Sequence, residues 1–376
     1  MNIYEIDGYN LTMKQIEIIL SDPDSKVRLS AEAAHKCRAS RKQIDRWLQK
    51  DAPIVYGVNT GLGNLKDVVV PPEQHIQWNK CLPYPHAAGM GDYLPAPITR
   101  LSLLLRANVL ARSFSAVRVE LIERLLDLFN HKISPAVHSE GSTGLSDLAP
   151  LAQCIMVIAG LEDATAYYNG ELMPAKQALT KVGLEPTFDL ECKEVLAIMN
   201  GSTMTQAIAV YSFIEFEDLF ARHTSLFKDT IISDKLSAYN RTVEFAREIL
   251  NFENNISCDN PLLFETDFNE YEAVMGCNCS NTQVGYILDL MSIIVCEMGS
   301  DIDSIIHSIE EYAKETSSHL MAKLKTASMQ VSADSIPTKS GQEDHVEFSF
   351  TASKKFLHGV RILKILHQIS ADYKCV

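Results

Sequence analysis

The sequence predicts an all-α protein built on a bundle of long helices, and three observations carry that expectation. Four stretches, from about Ile98 to His131, Leu190 to Thr230, Asn281 to Ser328 and Gln342 to Tyr373, are too long and too nearly free of internal Gly and Pro to be strands. Within them apolar residues recur every three to four positions. Turn-forming residues collect outside them, at Tyr56 to Asn64, Pro83 to Asp92, Ser134 to Asp147, Asp259 to Asn278 and Ser335 to Gly341.

In the first stretch Leu121, Leu125 and Leu128 fall at helical spacing with Glu123, Arg124 and Asp127 between them, the pattern of an amphipathic helix. The second is interrupted at Asn200-Gly201, where Asn serves readily as a local cap. In the third, Ile287, Leu290, Met291, Ile294, Val295 and Met298 repeat at helical spacing before charges appear toward Lys325, so this helix starts buried and ends wetter. The fourth follows the Ser340-Gly341 break, which puts Glu343 in a first helical turn, where a carboxylate complements the helix dipole. At ~1.5 Å of rise per residue, helices of thirty residues are rods of ~45 Å, and loops between such rods are where chemistry is usually placed. Residues 1–95 are shorter-segmented and are expected to form an N-terminal, lid-bearing part, with residues 96–376 as the central helical bundle.

Composition narrows the function classes. A chain of 376 residues with 46% hydrophobic content can bury a sizeable core. A formal charge of −14 argues against a phosphate-neutralising surface, so no nucleic-acid partner is expected. The longest apolar runs, Leu101 to Leu105 and Ile287 to Val295, fall short of the ~20 residues that span a bilayer, so no membrane partner is expected either. The N-terminus shows no export signal, and an odd count of nine cysteines reads as free thiols in a reducing, cytoplasmic compartment. Cys277 and Cys279 form a C-x-C pair with no second pair at metal-site spacing, so no metal is expected.

Five segments, in order along the chain, resemble the histidine/aromatic amino-acid ammonia-lyase family. Tyr56-Gly57-Val58-Asn59-Thr60-Gly61-Leu62-Gly63 resembles its YGxNTGFG lid loop, and His86-Ala87-Ala88-Gly89-Met90-Gly91 its SHAxGxG turn. Leu104-Leu105-Arg106-Ala107-Asn108 with Ser115-Ala116-Val117-Arg118 resembles its LRANxLAKGYSGVR helix. Asn200-Gly201-Ser202 is similar to its NGT element, and Asp334 to Thr338 followed by Gln342 to Val346 to DSIPTxxxQEDHVS. The resemblance implies a fumarase-like helical bundle and a homotetramer whose active sites are shared between subunits. It also implies roles for single residues: Tyr56 as the lid base, and His86, Asn59, Asn200, Gln342, Glu343 and Cys279 as substrate contacts.

The departures from the family pattern shape the expected chemistry. The family's GSxGASGDLAPLA supplies an Ala-Ser-Gly triad that cyclises to an electrophilic imidazolone. This chain has Gly141-Ser142-Thr143-Gly144-Leu145-Ser146-Asp147-Leu148-Ala149-Pro150-Leu151-Ala152, one residue shorter, so Thr143, Gly144, Leu145, Ser146 and Asp147 form a degenerate cofactor loop. Cyclisation needs a glycine nitrogen free to reach unusual φ/ψ, and the residue after Ser146 is an aspartate, so no imidazolone and no other cofactor is expected. The family's DPYSLRC segment with its carboxylate-gripping arginine has no counterpart between Asp229 and Asp259, its GGNFHAE element appears as Gly276-Cys277-Asn278-Cys279-Ser280-Asn281, and its C-terminal helical extension is missing after Val376.

A phenol of ordinary pKa ~10 is a weak base unless donors or positive charge stabilise its phenolate. The glycines around Tyr56 offer backbone N–H groups and a hinge for that purpose. The expected function is therefore an imidazolone-independent lyase: Tyr56 removes an activated proton from a small-molecule substrate that expels a group needing no covalent activation. Two alternatives stand beside it, a proton-transfer isomerase or cyclase on a carrier-bound acyl substrate, and a non-catalytic binding protein on the same scaffold.

Overall fold

The computed structural model describes residues 2–49, 51–62, 65–267, 270–276, 278–309, 313–333 and 345–372. Three of the four long helical stretches form in two pieces. The first becomes helices Ala96–Ala111 and Val119–Asn130, because Ser113 and Ala116 take left-handed φ angles of 70° and 51° between them. The second becomes Glu194–Met199 and Thr203–Phe227, parted at Gly201, whose φ of 140° lies in a region that side chains rarely enter. The third becomes Thr282–Ile309 and Lys314–Ala327. The fourth is the helix Ser349–Asp372. The chain is mostly helical, as the periodicity predicts, and four small sheets occur among the described residues.

The fold divides into two units, residues 1–207 with 254–280 and residues 208–253 with 281–376. In the first, strands Ile3–Ile6 and Lys26–Leu29 pair in parallel around the helix Met13–Ser21. That helix opens on a capping box in which Thr12 and Gln15 each accept the other's backbone N–H. The hairpin Thr165–Tyr168/Glu171–Pro174 closes through Asn169-Gly170, both at positive φ, the pair that a two-residue hairpin turn favours. A second hairpin, Leu262–Glu265/Tyr271–Val274, follows the Asn260-Pro261 bond. Ile98, Leu101 and Leu104 pack with Leu121, Leu125 and Phe129 in a core closed to solvent.

Among its described residues the second unit contains helices and no strand. The helix Thr282–Ile309 packs along Ser349–Asp372 and Lys314–Ala327, burying Met291, Met298, Ile302, Phe356 and Leu363. Gly299 permits the close approach, since a Cβ there would lie 2.4 Å from Leu324 Cδ1. Phe216 and Phe356 meet within the same core, their ring centroids 5.9 Å apart and their planes tilted by 53°.

Candidate active site

The degenerate loop is held by hydrogen bonds rather than left open. Ser146, at a left-handed φ of 59°, accepts the N–H of Gly201 on its hydroxyl at 3.1 Å. Asp147 returns its own N–H to the Gly201 carbonyl at 2.8 Å. The fully buried Asp147 carboxylate accepts from the Ser142 hydroxyl at 2.7 Å, the Thr205 N–H at 2.7 Å and the Thr205 hydroxyl at 2.9 Å. The Ser202 hydroxyl lies 2.6 Å from the carbonyl oxygens of both Gly144 and Cys279. Leu145 is buried, whereas Thr143 is exposed at the loop's tip.

This geometry tests whether the residues fit the family's imidazolone. Ring closure by the Ala-Ser-Gly route would require the Asp147 nitrogen to attack the Leu145 carbonyl carbon. That nitrogen is already committed to Gly201, and its residue carries a buried side chain with three donors. Residues 145–147 as placed do not fit the group.

Arg106 supports the opposite side of Gly201. Its guanidinium, buried in the helix Ala96–Ala111, donates to the carbonyls of Ala197 at 2.7 Å, Cys258 at 2.8 Å and Asn200. Burial pulls this group below its ordinary pKa, while Asp259 and Asp147 oppose the shift by their charge. A Cβ at Gly201 would lie 2.4 Å from Arg106 Nη1 and 2.7 Å from the Cys258 carbonyl oxygen, so the close approach itself requires glycine. Asn200, half-buried, donates its side-chain amide to the Asn260 carbonyl at 2.9 Å.

Tyr56 is half-buried at the start of its loop, and the next residue, Gly57, sits against Leu196 and Pro261. Asn59 braces the turn, its amide nitrogen donating to the carbonyls of Trp47 and Pro53 and its oxygen accepting the Val55 N–H. Its side chain is thus engaged in shaping the lid. His86 ends a short helix with Nδ1 2.9 Å from the Leu82 carbonyl, which can only accept, so Nδ1 is the donor in this bond. Its turn reaches the loop through Gly89, whose Cα would be 3.1 Å from a Cβ on Gly141. Cys279 is buried, and its carbonyl serves Ser202 and Ser146. Gln342 and Glu343 lie outside the described residues.

The structure therefore joins the loop 144–147, Asn200-Gly201-Ser202 and Cys279 in one hydrogen-bonded body. Two flanking residues went unassigned in the sequence. Arg106 had a signal, a lone charge following the apolar run Leu101 to Leu105. Lys193, fully buried against Asp259, had none, because an isolated lysine ordinarily reads as solvated. Among the described residues no group of three or more His, Cys, Asp or Glu can hold a metal ion, and no helix is long and apolar enough to cross a membrane.

Comparison with known proteins decides the family. A profile of the aromatic amino acid lyases matches residues 11–227. A probable histidine ammonia-lyase of Thermoplasma volcanium is 32% identical, over 94% of this chain and 85% of its own length. This chain belongs to the aromatic amino acid lyase family. A histidine ammonia-lyase of Myxococcus xanthus is 30% identical over 93% of the chain and 83% of its own. Among solved structures, histidine ammonia-lyase from Trypanosoma cruzi superposes with a TM-score of 0.86 at 24% identity, covering 98% of this chain and 83% of that one. Ergothionase from Treponema denticola superposes at 0.85 and 18%, covering 99% and 90%, a likeness of fold alone.

These relatives correct the expected reaction. An aromatic amino acid lyase that matches histidine ammonia-lyases along nearly its whole length supports ordinary ammonia-lyase function, not an elimination that dispenses with covalent activation. The isomerase and binding-protein alternatives fall to the same finding.

Proposed function

We propose that this chain is an ammonia-lyase acting on a small α-amino acid, with histidine the first substrate to test. The observation that carries the reading is the near full-length match to histidine ammonia-lyases at about 30% identity. In that reaction a Cβ proton passes to a base, the Cα–N bond breaks, and ammonia leaves an unsaturated acid. Tyr56 is assigned the proton, and its place on a Gly-rich turn against Leu196 and Pro261 supports that role. His86 and Asn200 are assigned to the substrate's polar groups, and so are Gln342 and Glu343, which lie outside the described residues.

The functional form is assigned as a homotetramer with shared sites. Supporting this, Tyr286, Leu290 and Ile293 form an exposed apolar stripe on the helix Thr282–Ile309, suited to the same helix of a second copy. The free thiols among the described cysteines suit a cytoplasmic location.

The test is incubation with histidine, following the near-ultraviolet absorbance of the conjugated imidazole acrylate together with released ammonia. Both signals are expected in wild type and absent in Tyr56→Phe, with the circular dichroism of the two proteins alike. No turnover of histidine, phenylalanine or tyrosine by wild type would overturn the assignment. Intact mass is read on the same sample: a mass short by two waters would mark a covalently activated loop and correct the placement of residues 145–147, and the unmodified mass would leave that loop as placed.

A further inference from the structure

Lys193 precedes the helix Glu194–Met199 at a left-handed φ of 73°, a conformation lysine seldom adopts, and its side chain is fully closed to solvent. Its ammonium meets the equally buried carboxylate of Asp259. From there a chain of contacts runs into the site. Asp259 Oδ1 accepts the Asn260 N–H at 2.7 Å, and the Asn260 carbonyl accepts the Asn200 side-chain amide at 2.9 Å. Asn260 Oδ1 accepts the N–H of Gly276 at 3.2 Å, which anchors the same residue through its side chain.

The pair also bears on the lid. It ties residues 192–200 to residues 258–261, and the start of the lid loop rests on both. A Cβ on Gly57 would stand 2.8 Å from Leu196 and 3.1 Å from Pro261, and the Cys192 thiol lies 2.9 Å from the Val58 carbonyl. Stability alone does not account for a fully buried ion pair. Desolvating both charges offsets most of their attraction, and apolar residues of similar volume commonly serve as well or better.

We propose that Lys193 and Asp259 form a positioning pair that sets the Asn200 amide and the seat of the Tyr56 loop for the reaction. The inference rests on the assignment of Tyr56 and Asn200 to the substrate. Its test uses the charge-free pair Lys193→Met with Asp259→Asn, in which residue 259 keeps an acceptor for the Asn260 N–H while no unpaired charge is left buried.

With a wild type that turns over histidine, this double variant is expected to remain folded and to lose at least about tenfold in kcat/KM. Asn200→Ala added to it is then expected to cost less than about twofold, although the same change costs at least about tenfold in wild type. Losses that simply multiply, or an unaltered kcat/KM in the double variant, overturn the proposal.

A crystal structure of the double variant gives a readout independent of activity. The contact between Asn200 and the Asn260 carbonyl is expected to open beyond about 3.5 Å, the limit of a hydrogen bond. A contact retained at its original length overturns the proposal. An inactive wild type counts against the ammonia-lyase assignment alone, and the crystal structure still decides the role of the pair. If the double variant fails to fold, Asp259→Asn by itself is read in the same two ways.

Discussion

Glu253 is the clearest place where burial of a charge becomes a measurable quantity. It closes the helix Ser233–Glu253 with 8% of its surface exposed. Burial first, and then the charge of Glu347, push its carboxyl up from 4.5 to about 7. Glu347, fully buried, accepts the Asn281 N–H and the Ser349 hydroxyl, each at 3.2 Å.

The native state therefore binds more protons than the unfolded chain between pH 4.5 and 7. Stability must fall as pH rises through that window. At about 1.4 kcal/mol per pH unit the loss reaches roughly 3 kcal/mol by pH 8. Glu253→Gln keeps the shape and removes the titration. Urea unfolding from pH 4 to 8 should find the variant level with wild type at the acid end and more stable by about 3 kcal/mol at pH 8. A gap that does not change with pH, or one below about 0.5 kcal/mol at pH 8, would refute the reasoning.

Three further outcomes are expected. Gly201→Ala drives a Cβ into Arg106 and the Cys258 carbonyl, so it should destabilise by about 3 kcal/mol or more in denaturant titration. Arg106→Met strips donors from the carbonyls of Ala197, Asn200 and Cys258 and should cost about 3 kcal/mol or more, with turnover lost at temperatures where the variant is still folded. Burial, with the nearby charges of His223 and Arg222, pulls His367 down to about 4, so the folded state holds it neutral and loses stability as pH falls from 6.5 toward 4. His367→Gln should flatten that acid limb in melting curves taken between pH 4 and 7, and an unchanged limb would exclude the histidine as its source.

The helices were legible because apolar spacing is written directly into residues such as Leu121, Leu125 and Leu128. Their interruptions were less so. Gly201 announces itself, but Ser113 and Ala116 adopt left-handed angles that tertiary packing imposes and no local signal foretells. The hairpin at Asn169-Gly170 carried a recognisable turn pair, yet its four-residue strands are too short for alternation to stand out. Tyr56, His86 and Asn200 are assigned through motif resemblance, whereas the asparagine chain through Asn260 leads to a buried lysine that composition assigns to solvent. The expected reaction fails for a related reason: one altered loop is local, whereas the similarity to histidine ammonia-lyases that corrects it is spread over the chain.

Arg106 has no acceptor nearby in sequence: its partners stand 91, 94 and 152 residues downstream. A nascent chain that has emerged as far as residue 200 already holds the lid loop, the serine loop and the asparagine, yet the guanidinium between them still lacks the Cys258 carbonyl. The site is therefore among the last parts of its unit to close during synthesis, since contacts so distant in sequence form late. Any fragment ending before residue 258 would carry most of the named residues without the means to hold them in register.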